Sequence, residues 1–141
     1  MMHQKKVLII DNDTIIRNSL SSLFRDMGCK VFEYDSIVMA ESVIKSFRPE
    51  IVFLALAFDN VSPGLLSRIK EIHHCTVIVF SDVITTNDIV MYSSADEILV
   101  NPCSQADRLK LYFDKPVSEI RKSFADGRNL TLFAAGSPYM Q

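Results

Sequence analysis

Four short polar clusters each follow an apolar run of strand length. Asp11-Asn12-Asp13 follows KVLII, Asp59 closes the stretch after IVFLALA, Ser81-Asp82 follows TVIVF, and Asn101-Pro102 follows EILV. Carboxylates, a hydroxyl and amides gathered at one end of a sheet are oxygen donors of the kind that hold a hard cation or steer a phosphoryl group. Missing from these clusters is any lysine or arginine to offset transferred negative charge, and no residue among them pairs with an obvious general base. Ser81 therefore reads as a hydrogen-bonding hydroxyl rather than a nucleophile. Asp13, Asp59 and Asp82 read first as solvated loop carboxylates. The alternative, a substitute phosphoacceptor among them, has weaker support. His73-His74-Cys75 brings three metal-ligand types together, but adjacent side chains diverge and no second cluster completes a ligand set, so a turn between helix and strand is expected there.

The elements that must position these residues alternate regularly. Lys6–Ile10 is a continuous apolar run of the kind buried on both faces in a parallel sheet, and Lys30–Tyr34, Ile51–Ala57, Thr76–Phe80 and Glu97–Val100 read as the second to fifth strands. Between them lie stripes of helical period. The first is Ile16, Leu20, Leu23, Phe24 and Met27, closed by Gly28 at the expected C′ position. The second is Ile37, Ala40, Ile44 and Phe47, with Ser36 as expected cap and a stop before Pro49. The third is Leu65, Leu66, Ile69 and Ile72, and Asn87–Tyr92 supports only a short helix. Ser104 with Asp107 suggests a capping box for a last helix whose core face is Leu109 and Phe113. Strands alternating with helices imply a parallel sheet covered on both sides, with its site beyond the carboxyl ends of the strands.

Composition narrows the function classes. With 141 residues, 48% of them hydrophobic, the chain suits one globular domain with a short tail. A net charge of −2 without a basic run argues against direct nucleic-acid binding. No window approaches the roughly 18 apolar residues of a membrane span, and three scattered cysteines suit reduced thiols, so a cytoplasmic location is expected.

The clusters also carry a resemblance. KKVLIIDNDTIIRNSL, FRPEIVFLALAF, TVIVFSD and SADEILVNP resemble, in order and in approximate spacing, the motifs of the response-regulator receiver (CheY-like) family. The resemblance covers Lys5 to Lys115, within a receiver-like domain bounded at residues 4–115, and implies a flavodoxin-like doubly wound sheet of order 2-1-3-4-5. It also shows what is lost. The family's phosphoacceptor aspartate falls on Ala55, the second member of its acidic pair on Asn12, its lysine on Asn101 and its conformation-reporting aromatic on Ile98. Asp11 and Ser81 remain, and the resemblance implies a cis bond between Asn101 and Pro102.

These losses belong together chemically, because a lysine left beside an absent acceptor would be a partly buried charge without its partner. The implied reading is a degenerate receiver, not an enzyme, regulating through protein contacts and homodimerisation, with weak or absent Mg²⁺ binding and no resident cofactor. Asp11 reads either as a structural remnant or as a residual cation ligand. The gaps from Ala55 to Ser81 and from Ser81 to Asn101 are shorter than is usual in the family, and an apolar strip of Val90, Met91 and Tyr92 is the candidate contact surface. Residues 116–141 read as a linker helix and tail; LTLFAAGSPYMQ resembles the start of the AAA+ domain of sigma-54-dependent transcription activators, with Ala135 where a glycine is usual. A fragment ending at that boundary is the expectation, and a stand-alone adaptor binding a protein or small ligand is the alternative.

Overall fold

The computed structural model describes residues 4–56, 61–105 and Leu109. Strands β1 (Lys6–Ile10), β2 (Lys30–Tyr34), β3 (Ile51–Ala55), β4 (Thr76–Ser81) and β5 (Glu97–Val100) form one five-stranded sheet in the order β2-β1-β3-β4-β5. All four pairings are parallel, and the register sets Ile10 beside Leu54 and Ala55 beside Phe80. Helices α1 (Thr14–Asp26), α2 (Ala40–Phe47), α3 (Pro63–Ile72) and α4 (Thr86–Met91) connect the strands. This is the flavodoxin-like doubly wound fold.

The period of two along each strand divides the core between the faces. Leu8, Leu54, Val79 and Ile98 join a cluster with Val43, Ile44, Leu66 and Ile69 of α2 and α3. Ile9, Phe53, Ala55 and Phe80 join the opposite cluster, with Leu20 and Phe24 of α1 and with Leu109. Phe53 is the centre of that second face, its ring 4.8 Å from Phe24 and 6.2 Å from Phe80 between centroids.

Local chemistry sets the helix ends. Asp13 caps α1, its carboxylate accepting from the amides of Ile15 and Ile16. Gly28 follows the helix at φ 86°, a conformation costly for any residue with a Cβ. Arg48 ends α2 in the left-handed region immediately before Pro49. Ser62 caps α3, with Pro63 behind it, and Thr85 with Asp88 closes a capping box on α4.

Some expectations need correction. Ser36 does not cap α2: its Oγ accepts from Val38 in a turn, and the helix begins later, after Met39. The third strand ends at Ala55 rather than Ala57, because Leu56 turns away after bonding the Phe80 carbonyl. Ser104 lies in a short 3₁₀ turn, Pro102–Gln105, and its Oγ donates to the Asn101 carbonyl, so it is engaged as a donor backwards along the chain. Leu109 is helical and buried as expected, whereas Asp59, Asp107, Phe113 and the tail 116–141 lie outside the described residues.

Replacing Phe53 by Ala would empty the centre of one face, so Phe53→Ala should lower the unfolding free energy by about 3–5 kcal/mol in urea denaturation. Val90→Ala, at an exposed position, should change it by less than about 0.5 kcal/mol.

Candidate functional site

The carboxyl ends of β1, β3, β4 and β5 converge on a cavity of about 330 Å³. Asp11, Asn12, Ala55, Ser81 and Asn101 all line it, so the topology brings together five of the six positions assigned from sequence. Ile98 is the exception. It points to the other face of the sheet, buried against the α2–α3 cluster with Tyr92.

Asp11 sits immediately beyond β1 and is only 2% exposed. Its Oδ1 accepts the Asp13 amide at 2.9 Å, and its backbone carbonyl takes the Arg17 guanidinium at 2.7 Å. Arg17 also pairs with Glu33 at 3.4 Å, so its charge is directed toward the β2 side. Burial raises the Asp11 carboxyl above its ordinary value of 3.8; the Asp13 amide bond and Arg17 oppose the rise, while the charges of Asp13 and Asp82 add to it.

Ala55 ends β3 and is 2% exposed, its methyl group part of the cluster that holds Phe53 and Phe80. Ser81 ends β4; its Oγ accepts from Val83 at 3.5 Å, and its carbonyl accepts the Asn101 amide at 2.9 Å. Asn101 is exposed, with φ 47°. The expected cis bond before Pro102 is absent: no cis peptide bond occurs among the described residues, and the left-handed backbone of Asn101 makes the turn there.

The oxygen donors do not fit the Mg²⁺ that this strand-end geometry serves in the family. Mg²⁺ is usually held by one or two carboxylates together with substrate phosphate. The positions to which the resemblance assigns the acceptor and the second acid carry Ala55 and Asn12, and among the described residues no group of three or more His, Cys, Asp or Glu is placed to hold a metal. His73-His74-Cys75 is likewise a turn: His73 donates to the Pro49 carbonyl, and Cys75 is buried.

The candidate contact strip is partly corrected. Val90 is 70% exposed and Met91 also faces solvent, but Tyr92 is 8% exposed. Its hydroxyl donates to the Val61 carbonyl and ties the end of α4 to the approach to α3. The sequence hides this because an aromatic at the end of a short helix reads equally as surface or core.

The profile of the response regulator receiver domain matches residues 7–112. The chain belongs to the response regulator receiver domain family. A CheY-like receiver domain protein from Methanospirillum hungatei JF-1 is similar in structure, with a TM-score of 0.72 at 19% identity over 86% of this chain and 99% of that one. So is the receiver domain of a putative LuxO repressor protein from Vibrio parahaemolyticus, with a TM-score of 0.69 at 20% identity over 91% of this chain and 98% of that one. HP1043, an orphan response regulator of H. pylori, gives a TM-score of 0.66 at 21% identity, covering 76% and 94%. At these identities the likeness concerns the fold. No protein of curated function matches the chain. It is thus a receiver domain of two-component signalling, a family that works through protein partners, and no helix among the described residues is long and apolar enough to cross a membrane.

A carboxyl held above 3.8 by burial favours the folded state while it is protonated, and that contribution is lost as pH rises through the folded value. An Asn amide oxygen can still accept the Asp13 amide, so Asp11→Asn should be more stable than the native chain at neutral pH. The difference should close as pH falls toward 3.8 and below, followed by thermal denaturation across pH.

Proposed function

We propose that this receiver domain regulates without aspartyl phosphorylation, as a non-enzymatic contact and dimerisation module. The observation that carries this reading is Ala55: a methyl group, 2% exposed, stands where the strand-end site needs its acceptor carboxylate. Phosphoryl transfer also needs charge screening by a metal and fixed cations. Asn12 and Asn101 provide neither, and among the described residues no lysine or arginine lines the cavity.

Regulation then proceeds through surface contacts that shift the populations of a larger assembly. Exposed Val90 and Met91 on α4, with exposed Val83 before the helix, are the apolar residues we assign to contact with a protein partner or a second copy. The parent we favour is a sigma-54-dependent transcription activator of the cytoplasm, in which this domain would hold or release an ATPase ring. The support is Ser137-Pro138 with Met140-Gln141 following the apolar run LTLF.

Intact-mass spectrometry after incubation with acetyl phosphate and Mg²⁺ tests the central point. The native chain should gain no phosphoryl group. The triple variant Asn12→Asp, Ala55→Asp, Asn101→Lys restores acid, acceptor and cation, and should gain one. Phosphorylation of the native chain would overturn the reading.

A further inference from the structure

We propose that the outer edge of β2 pairs antiparallel with β2 of a second copy of this chain, joining two five-stranded sheets into one continuous sheet. The proposal rests on the dimerisation part of the reading above and gives it a surface, separate from the exposed residues of α4.

The two edges of the sheet differ. Every residue of β5 is buried at one edge, whereas β2 at the other has Lys30 and Phe32 exposed. The ladder with β1 fixes which backbone groups of β2 are used. The Lys30 amide donates to the Lys5 carbonyl, and the Tyr34 carbonyl accepts from the Asp11 amide. Lys30, Phe32 and Tyr34 therefore turn their main-chain groups toward β1. By the alternation of a parallel ladder, Val31 and Glu33 turn theirs outward. Among the described residues no strand pairs with that side of β2. Such an edge is a template for another strand unless a proline, a bulge or an outward charge blunts it. β2 contains no proline, and Glu33, its one charge in mid-strand, is held toward α1 by Arg17 at 3.4 Å and Arg25 at 3.3 Å.

The residues of this edge select a second copy as the occupant, because the edge complements itself. With Phe32 opposite its own counterpart, Val31 meets Glu33 of the second copy and Glu33 meets Val31. Each of these pairs exchanges two main-chain hydrogen bonds, so the outward amides and carbonyls are all satisfied. Phe32 and its counterpart then form the close, non-hydrogen-bonded pair, at about 4.5 Å between Cα atoms. Phe32 is 42% exposed, and its ring stacks on Phe47 at 4.1 Å with the planes 8° apart. It is thus already oriented as one half of an aromatic contact across the axis. Charge fits the same direction. Lys30 opens the strand and Asp35 follows it, both exposed, and antiparallel pairing sets the basic end of one edge beside the acidic end of the other. Neighbouring registers fit less well. Centring on Glu33 brings two carboxylates together, and centring on Val31 calls on the Cys29 amide, which already donates to the Phe24 carbonyl.

Sedimentation velocity of the full 141-residue chain should show a reversible monomer–dimer equilibrium with a Kd of about 1 mM or tighter, the weak range of a small interface. Phe32→Lys sets like charges opposite each other at the axis and should raise that Kd about fivefold or more, with an amide ¹H–¹⁵N spectrum that stays folded. Lys30→Glu, at an exposed position that leaves the Phe47 stack intact, should raise it about twofold or more. Phe32→Cys places two thiols at the axis within disulfide reach. Mild oxidation should then link two copies of the tryptic peptide 31–45, which holds no native cysteine. Val90→Cys, on exposed α4, should cross-link no more than the native chain does. A chain that stays monomeric up to about 1 mM would overturn the edge pairing and the dimerisation reading together. A dimer that cross-links through Val90→Cys rather than Phe32→Cys, or whose Kd is unmoved by both Phe32→Lys and Lys30→Glu, would overturn the edge pairing and leave dimerisation standing.

Discussion

Burial of a parallel sheet on both faces is the constraint from which the rest follows. Val7 to Ile10, Ile51 to Leu54 and Val77 to Val79 are essentially closed to solvent on either side. Such strands cannot carry a polar side chain mid-length without a partner, so the residues capable of chemistry collect where the strands end. Parallel pairing places those ends on one edge, and the change of direction on either side of β1 and β3 opens a crevice there. Asp11, Ala55, Ser81 and Asn101 reach one cavity for this reason, although they are far apart in the chain.

Within that crevice the electrostatics form a connected set. Asp11 is held at two points: its carboxylate accepts the Asp13 amide, and its carbonyl accepts the Arg17 guanidinium. Arg17 is shared with Glu33, so α1 is tied to β1 and β2 by one guanidinium. A basic side chain at Asn101 would face Asp11 with no acceptor carboxylate at Ala55 to justify it. The residues at positions 12, 55 and 101 are neutral, so Asp11 is the one buried acid among the described residues that line a partly apolar cavity.

Much of this was legible in the sequence. The strands Lys6–Ile10, Lys30–Tyr34 and Glu97–Val100 have the bounds read from the sequence; the first and last are almost wholly buried runs, whereas Lys30–Tyr34 is an edge strand with Lys30 and Phe32 exposed. The strand order came from the family resemblance, and five of the six assigned positions share one cavity. The misses are tertiary. Met39 precedes α2 without a side-chain cap, so packing of Ala40, Val43 and Ile44 sets that helix, and the local appeal of Ser36 is overridden. Tyr92 is buried because a carbonyl at Val61, distant in sequence, accepts its hydroxyl. The shape of the cavity was hidden for a further reason: it is created by side chains too short to fill it, which no motif marks.

The central claim is that the strand-end site does not accept an acyl-phosphate-like group. The most direct measurement is an amide ¹H–¹⁵N titration of the chain with beryllofluoride in the presence and absence of Mg²⁺, reading residues 10–13, 55, 81 and 101. The account predicts that these signals do not move with beryllofluoride at any Mg²⁺ concentration. A saturable, Mg²⁺-dependent shift centred on them would contradict it.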